Sequence, residues 1–247
     1  MVMPGHAKQV MVDLVIARYM ENLDWLSKYK DHSFRRVIIY NKGAPIKCPD
    51  MKGLCEVKEL PNVGFCDHSY LYHIVHEYND LADITVFLPG SANLPNKKKY
   101  GEKIIDLAFK GQPALFGLRV KGLYENMQNF ALDSSTLSDP LNQVTGKAYL
   151  LHPALPRPYG AWLKKYLPTQ LGCPYVTYKG LHSFSKEMLH SHHIDFYKPF
   201  LNQLSHHRFP EVAHYTERTL AALVYPFPDA FFHEIPEKEL FGNQVSA

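Results

Sequence analysis

Apolar runs in the first ninety residues break off repeatedly into small polar clusters. Leu14 to Ala17 gives way to Arg18, Tyr19, Met20 and Glu21; Val37 to Tyr40 gives way to Asn41, Lys42 and Gly43; Ile84 to Leu88 gives way to Pro89, Gly90 and Ser91. Buried parallel strands read this way, because both faces are covered and polar groups emerge only at one end. In open α/β sheets that end is where ligands bind, so the front half is expected to be a binding platform.

The same pattern predicts strands over residues 13 to 19, 36 to 40, about 55 to 60, and 83 to 88. Between the first two, Glu21 to Tyr29 can form a short helix that turns Leu23 and Leu26 inward. A loop rich in Gly, Pro and Lys, Asn41 to Gly53, is long enough to be functional. Pro61, Asn62, Val63 and Gly64 have the chemistry of a turn. After it, Leu71, Ile74, Val75 and Tyr78 fall on one face of a helix that starts at Asp67 or His68. A β-α-β-β-α-β order of this kind favours a twisted, mostly parallel sheet with helices on both faces. Further on, Lys98 to Lys110 fits a helix, and Gly111 to Pro158 is dominated by turn residues. Ser183 to Leu189, Asp195 to Leu204 and Val212 to Tyr225 are helix candidates. The expected organisation is an arm over residues 1 to 12, one domain over 13 to 228 with a helical C-terminal part, and a tail over 229 to 247.

Composition narrows the partners. With 247 residues, 46% of them hydrophobic, the chain has the material for a substantial core. The net charge is only +3, and apart from Lys97, Lys98 and Lys99 the basic residues are scattered, which argues against nucleic acid. That short lysine run reads as a solvated loop or helix start, favoured over a phosphate-contacting role. No apolar stretch approaches the roughly 20 residues that span a bilayer. The first twelve residues lack the apolar stretch of a secretion signal, so a soluble, cytoplasmic protein is expected. Cys48, Cys55, Cys66 and Cys173 are spaced too loosely for a zinc knuckle and read as free thiols. The histidines, among them His182, His190, His192, His193, His206, His207 and His214, lack the spacing of a metal site. Nucleophile-elbow, dinucleotide-binding and Walker signatures are also missing from the sequence.

Four segments carry a family resemblance: Leu14 to Leu26, Ile39 to Gly43, Pro61 to Gly64 followed by His68 to Ile74, and Asp83 to Gly90. Taken in order, they resemble the core of a domain family of unknown function (DUF3431-like) found in fungi, protists and large DNA viruses. The run from Pro210 to Leu223, with His214, Tyr215, Glu217 and Arg218, resembles that family's closing helix. The family in turn resembles nucleotide-sugar glycosyltransferases of the GT-A type. The resemblance implies a single-domain α/β fold of GT-A-like architecture, a nucleotide-diphosphate-sugar donor, and a glycan or glycoprotein acceptor. Three positions depart from the pattern. Met20 stands before Glu21 where the family has Asn, Phe65 follows Gly64 where it tends to have Arg, and Leu220 replaces its Trp.

Glycosyl transfer needs a nucleotide pocket, positive charge against the leaving diphosphate and often a base for the acceptor hydroxyl. Ala17, Arg18, Tyr19 and Glu21 at the end of the first strand, with Asn41 and Lys42 at the end of the second, are the candidate nucleotide contacts. Asn62, Gly64, Gly90 and Ser91 would approach the phosphates or donor sugar. Asp67, His68 and Glu217 are the candidate catalytic groups; Asp67 as a helix cap and Glu217 as an ion-pair partner of Arg218 are the competing roles. GT-A enzymes usually hold Mn²⁺ or Mg²⁺ on an Asp-x-Asp pair, since hard carboxylates suit these ions. This chain has no such pair, and its corresponding strand end reads Leu88, Pro89, Gly90, Ser91. Metal-independent transfer is therefore favoured over metal-dependent transfer, and no metal ligand is assigned. Two rivals stay open: a catalytically silent module that binds a glycan, nucleotide or protein, and a glycan hydrolase.

Overall fold

The computed structural model describes residues 9 to 135 and 149 to 241. Seven strands form one mixed sheet: β1 (Val12–Arg18), β2 (Arg36–Asn41), β3 (Leu54–Glu59), β4 (Ile84–Pro89), β5 (Ala114–Arg119), β8 (Tyr175–Ser185) and β9 (Phe232–Glu234). Their spatial order is β3-β2-β1-β4-β8-β5-β9, and β8 alone runs antiparallel to its neighbours. A separate two-stranded ribbon pairs β6 (Ser134–Ser135) with β7 (Tyr149–Leu150). The α/β class expected from the sequence is the class observed, a single mostly parallel sheet flanked by helices, consistent with a GT-A-like architecture.

Strand alternation divides the core in two. Val15, Ala17, Ile38, Tyr40 and Phe87 point to one face, under the helices α1 (Phe65–His76), α4 (Tyr159–Tyr166), α6 (Lys198–Leu204) and α7 (Glu211–Thr219). Leu14, Ile16, Val37, Ile39, Val86 and Leu88 point to the other, under α2 (Lys98–Ala108) and a 3₁₀ turn at Asp24–Tyr29. Both faces being covered, the central strands carry few polar positions except at their ends. At the opposite end from the polar clusters, buried Asp13 accepts hydrogen bonds from Arg35 (2.9 and 2.5 Å) and Arg36 (3.0 Å). The remaining short helices are α3 (Leu123–Met127), α5 (Lys186–His190) and α8 (Glu237–Phe241). Among the described residues no helix is long and apolar enough to cross a membrane.

Several sequence expectations need correction. Residues 111 to 158 are not all turn: β5 and α3 lie within them, hidden by Gly111, Pro113, Gly117 and Gly122, which punctuate the run. Ser183 to Leu189 is not one helix, since β8 continues to Ser185 and only then does α5 begin. Residues beyond 228 are not merely a tail, because β9 pairs with β5 and forms one edge of the sheet. Cys48 and Cys55 are not free thiols. They are bonded as a disulfide with Cα atoms 5.9 Å apart, because the loop after β2 folds back onto β3. Cys66 and Cys173 do remain free. Within the same turn-rich stretch Ser134 and Ser135 pair as β6, and residues 136 to 148 lie outside the described residues.

Candidate functional site

Strand order reverses between β1 and its two neighbours: β2 and β3 lie on one side of β1, β4 on the other. In open α/β sheets the crevice outside the carboxyl ends of such strands is the natural ligand site, because the two loops leave in opposite directions. A cleft of about 560 Å³ lies there, lined by Ala17, Arg18 and Tyr19 after β1, Lys42 after β2, and Pro89 and Ser91 after β4. Parallel register brings these ends level, pairing Arg18 with Asn41 and Ala17 with Pro89.

The floor is densely hydrogen-bonded. Arg18 Nη1 donates to Asn41 Oδ1 (2.7 Å) and to the Ala44 carbonyl (2.7 Å), and Nε donates to the Glu21 carbonyl (3.0 Å). The Asn41 amide donates in turn to Glu59 (3.0 Å). Glu21 Oε2 accepts the Tyr19 backbone N–H at 2.7 Å. Gly43 lies beneath, and a Cβ there would sit 1.9 Å from the Tyr19 carbonyl oxygen. Gly43→Ala is expected to cost about 1–3 kcal/mol, the usual penalty of overpacking. Urea unfolding would measure it; an unchanged midpoint would contradict the close approach.

One wall is aromatic. The turn expected at Pro61 to Gly64 opens α1 with two successive left-handed residues, Gly64 (φ 57°) and Phe65 (φ 50°). Only glycine enters that region at no steric cost. The turn swings the Phe65 ring against Tyr149 (6.1 Å between centroids), Phe209 (5.8 Å) and His214 (5.7 Å). Where the resembled family tends to have a cation, this chain therefore builds a ring surface. Lys42 Nζ locks the turn by donating to the carbonyls of Val63 (2.6 Å) and Phe65. Burial pulls its pKa down to about 7, with Cys66 and Asp67 opposing the shift.

The other wall is basic. Lys97 Nζ donates to Ser91 Oγ at 3.1 Å, Lys179 enters from β8, and Arg208 lies over the Tyr19 ring and donates to its hydroxyl at 3.2 Å. Arg218 stacks on Phe130 and Tyr178. Among the described residues, six lysine and arginine side chains line the cleft against two carboxylates, Glu21 and Glu217, so its field suits an anion.

Of the residues singled out from sequence, Ala17, Arg18, Tyr19, Glu21, Lys42, Asn62, Ser91 and Glu217 line this cleft. The others do not. Asn41 is buried behind Arg18 as its anchor, Gly64 is shielded by Leu204, and Gly90 is closed in by the Glu21 carboxyl group, 2.9 Å from where its Cβ would be. Asp67 and His68 are buried in α1. Burial, and then the nearby Glu217 carboxylate, hold the Asp67 carboxyl well above the usual carboxylate range; burial, and then Lys42, pull His68 down to about 3. Glu217 is thus the one of the three catalytic candidates that lines the cleft, with Oε2 3.4 Å from Arg218 Nη1. Phe65, Lys97, Lys179, Arg208 and Arg218 join the cleft although the sequence does not assign them to it. Lys97 reads from sequence as part of a run favoured as solvated, with phosphate contact the alternative, and Arg218 as an ion-pair partner; Lys179 lies on a strand that periodicity does not reveal.

The residues at the β4 end do not fit a divalent cation. Hard ions want several oxygen ligands, carboxylates above all. Ser91 already receives a lysine, and the neighbouring Glu21 oxygen is taken by a backbone N–H. Among the described residues no group of three His, Cys, Asp or Glu side chains could hold a metal ion.

Fold and cleft together define an α/β protein with an anion-receptive site at its strand switch point. No protein-family model matches the chain, and no curated protein matches it.

Proposed function

We propose that this protein is a glycosyltransferase that moves a sugar from a nucleotide-diphosphate-sugar donor onto a glycan or glycoprotein acceptor. The observation that carries the reading is the pairing, in one cleft at the β1/β4 switch point, of a ring-lined wall and a basic wall. Rings suit the faces of a base or sugar, and ammonium and guanidinium groups suit the diphosphate. Tyr19 and Arg18 lie where the nucleotide would enter, and Asn62 and Phe65 line the same cleft. Glu217 would take the acceptor's proton.

The second reading, a silent module that binds without chemistry, draws support from the burial of Asp67 and His68, which leaves Glu217, of the three catalytic candidates, as the one on the cleft wall. A cytoplasmic setting, expected from sequence, is opposed by the Cys48–Cys55 disulfide, since such bonds persist in oxidising compartments. The two functional readings separate in one experiment. A panel of uridine and guanosine diphosphate sugars is titrated calorimetrically, and slow hydrolysis of each donor is followed without acceptor. Binding with hydrolysis is the expected result; binding without it supports a silent nucleotide-binding module; no binding to any donor contradicts the glycosyltransferase reading and leaves a module for a glycan or protein partner.

A further inference from the structure

We propose that the cleft holds the diphosphate of its ligand with two ammonium groups, Lys97 and Lys179, at the strand end where a pair of carboxylates would otherwise hold a divalent cation. The proposal rests on the nucleotide-diphosphate reading and names the groups that hold the phosphates.

The geometry at the end of β4 leads to it. Ser91 presents its hydroxyl to Lys97 Nζ at 3.1 Å. At the preceding position, Gly90, any side chain would start 2.9 Å from Glu21 Oε2, so an acidic residue there would run into an existing carboxylate. Beside β4 in the sheet, β8 breaks its alternation at two successive left-handed residues, Lys179 (φ 72°) and Gly180 (φ 64°). A long side chain in that region is unusual and strained, and it marks a position held for a reason other than backbone preference. The kink brings Lys179 to the cleft wall, where Nζ donates to the Glu239 carbonyl at 3.1 Å.

Charge partners separate this pair from Lys99. Lys99 is neutralised by the Glu239 carboxylate at 2.7 Å. Neither Lys97 nor Lys179 has a carboxylate within ion-pair distance among the described residues. Lys179 feels both neighbouring lysines: after burial, the charge on Lys97 depresses its pKa, Glu239 opposes that, Lys99 adds to it, and Glu217 opposes it in the smallest measure. Two like charges on one concave wall repel each other, and an anion that bridges them relieves the repulsion. A diphosphate does so, because its adjacent phosphoryl groups offer acceptors to several N–H donors at once. Arg208, at the rim over Tyr19, adds a third positive group on the path in.

The test is calorimetric titration of the full chain with inorganic pyrophosphate, uridine diphosphate and guanosine diphosphate, each in EDTA and in Mn²⁺. Lys97→Met keeps the apolar stem, and Lys179→Asn tolerates positive φ, so both variants should keep the fold; circular dichroism melts verify that. Pyrophosphate and at least one nucleotide should bind in EDTA, and Mn²⁺ should change the affinity by no more than about twofold. Each substitution should weaken binding by about tenfold or more, the loss expected for a charge-assisted contact. Binding that requires Mn²⁺, or variants that bind like the wild type, would overturn the lysine site while leaving the nucleotide reading in place. If neither pyrophosphate nor either nucleotide binds under any condition, both are overturned.

Discussion

Glu217→Gln is expected to lower sugar transfer by about 10²–10⁴-fold, the usual contribution of a general base, with nucleoside-diphosphate affinity nearly unchanged. Glu21 is committed to the Tyr19 N–H at 2.7 Å, and Asp67 is sealed inside α1. Among the described residues Glu217 alone combines a place on the cleft wall with a carboxylate held only loosely, by Arg218 at 3.4 Å. Its backbone is fixed, since the Thr177 hydroxyl donates to the Glu217 carbonyl and ties α7 to β8. Glutamine keeps the size and the contact with Arg218 and removes only the ability to accept a proton. A drop in turnover with unchanged affinity is therefore the signature of lost chemistry rather than lost structure. Full activity in this variant would place the base elsewhere or show that none is needed.

Acidification from pH 7 toward pH 5 is expected to destabilise the fold steeply. His73 and His182 are buried, and each has a ring nitrogen, Nε2, without a hydrogen-bond partner; His68 is in the same condition at Nδ1. His73 Nδ1 lies 3.1 Å from the Tyr40 hydroxyl, which suits a neutral ring. Burial pulls all three down to about 3. In the unfolded chain they would titrate near 6.5. Below that pH the unfolded state binds protons that the folded state refuses, so their contribution is complete above about 6.5 and is lost as pH falls toward 3. Each histidine contributes a slope of about 1.4 kcal/mol per pH unit. Asp67 works the other way, because its raised folded pKa makes protonation in this window favourable to the native state. Lys42, drawn down to about 7, exerts its effect above that pH and adds little below it. Together the three histidines contribute up to about 4 kcal/mol per pH unit once the pH is well below about 6.5, opposed by Asp67, against a typical total of 5–15 kcal/mol. Urea midpoints should fall sharply below about pH 6.5. A flat profile from pH 7 down to pH 5 would mean that these rings are not held neutral.

The front of the molecule is legible in the sequence because β1, β2 and β4 are covered on both faces. Their apolar runs end where the sheet ends, so Arg18, Lys42 and Ser91 can be read as neighbours before any coordinates. Face is harder to read than position. Asn41 ends its strand as expected, yet turns back to brace Arg18, and nothing in its neighbours distinguishes a brace from a ligand contact. On α1 the apolar spacing locates a helix, but Asp67 and His68 sit among the buried residues, since the helix is covered on more than one side by β1, α6 and α7. The second half is obscured by its own irregularities. Gly117 lets the Val176 carbonyl approach β5, and the register shifts there; β8 carries buried Thr177, His182 and Ser183 and a left-handed kink, so neither strand alternates cleanly. Lys97, Lys179 and Arg208 come from three distant stretches of chain, and only the folded sheet brings them to one cleft.

A nucleoside diphosphate is expected to occupy the crevice at the ends of β1, β2 and β4. A crystal structure soaked with uridine or guanosine diphosphate tests it most directly. Density is expected between Tyr19, Phe65 and Ser91, with the phosphates against Lys97. Density only elsewhere, such as the smaller groove beside Trp25 and Lys28, or an empty crevice at saturating nucleotide, would contradict it.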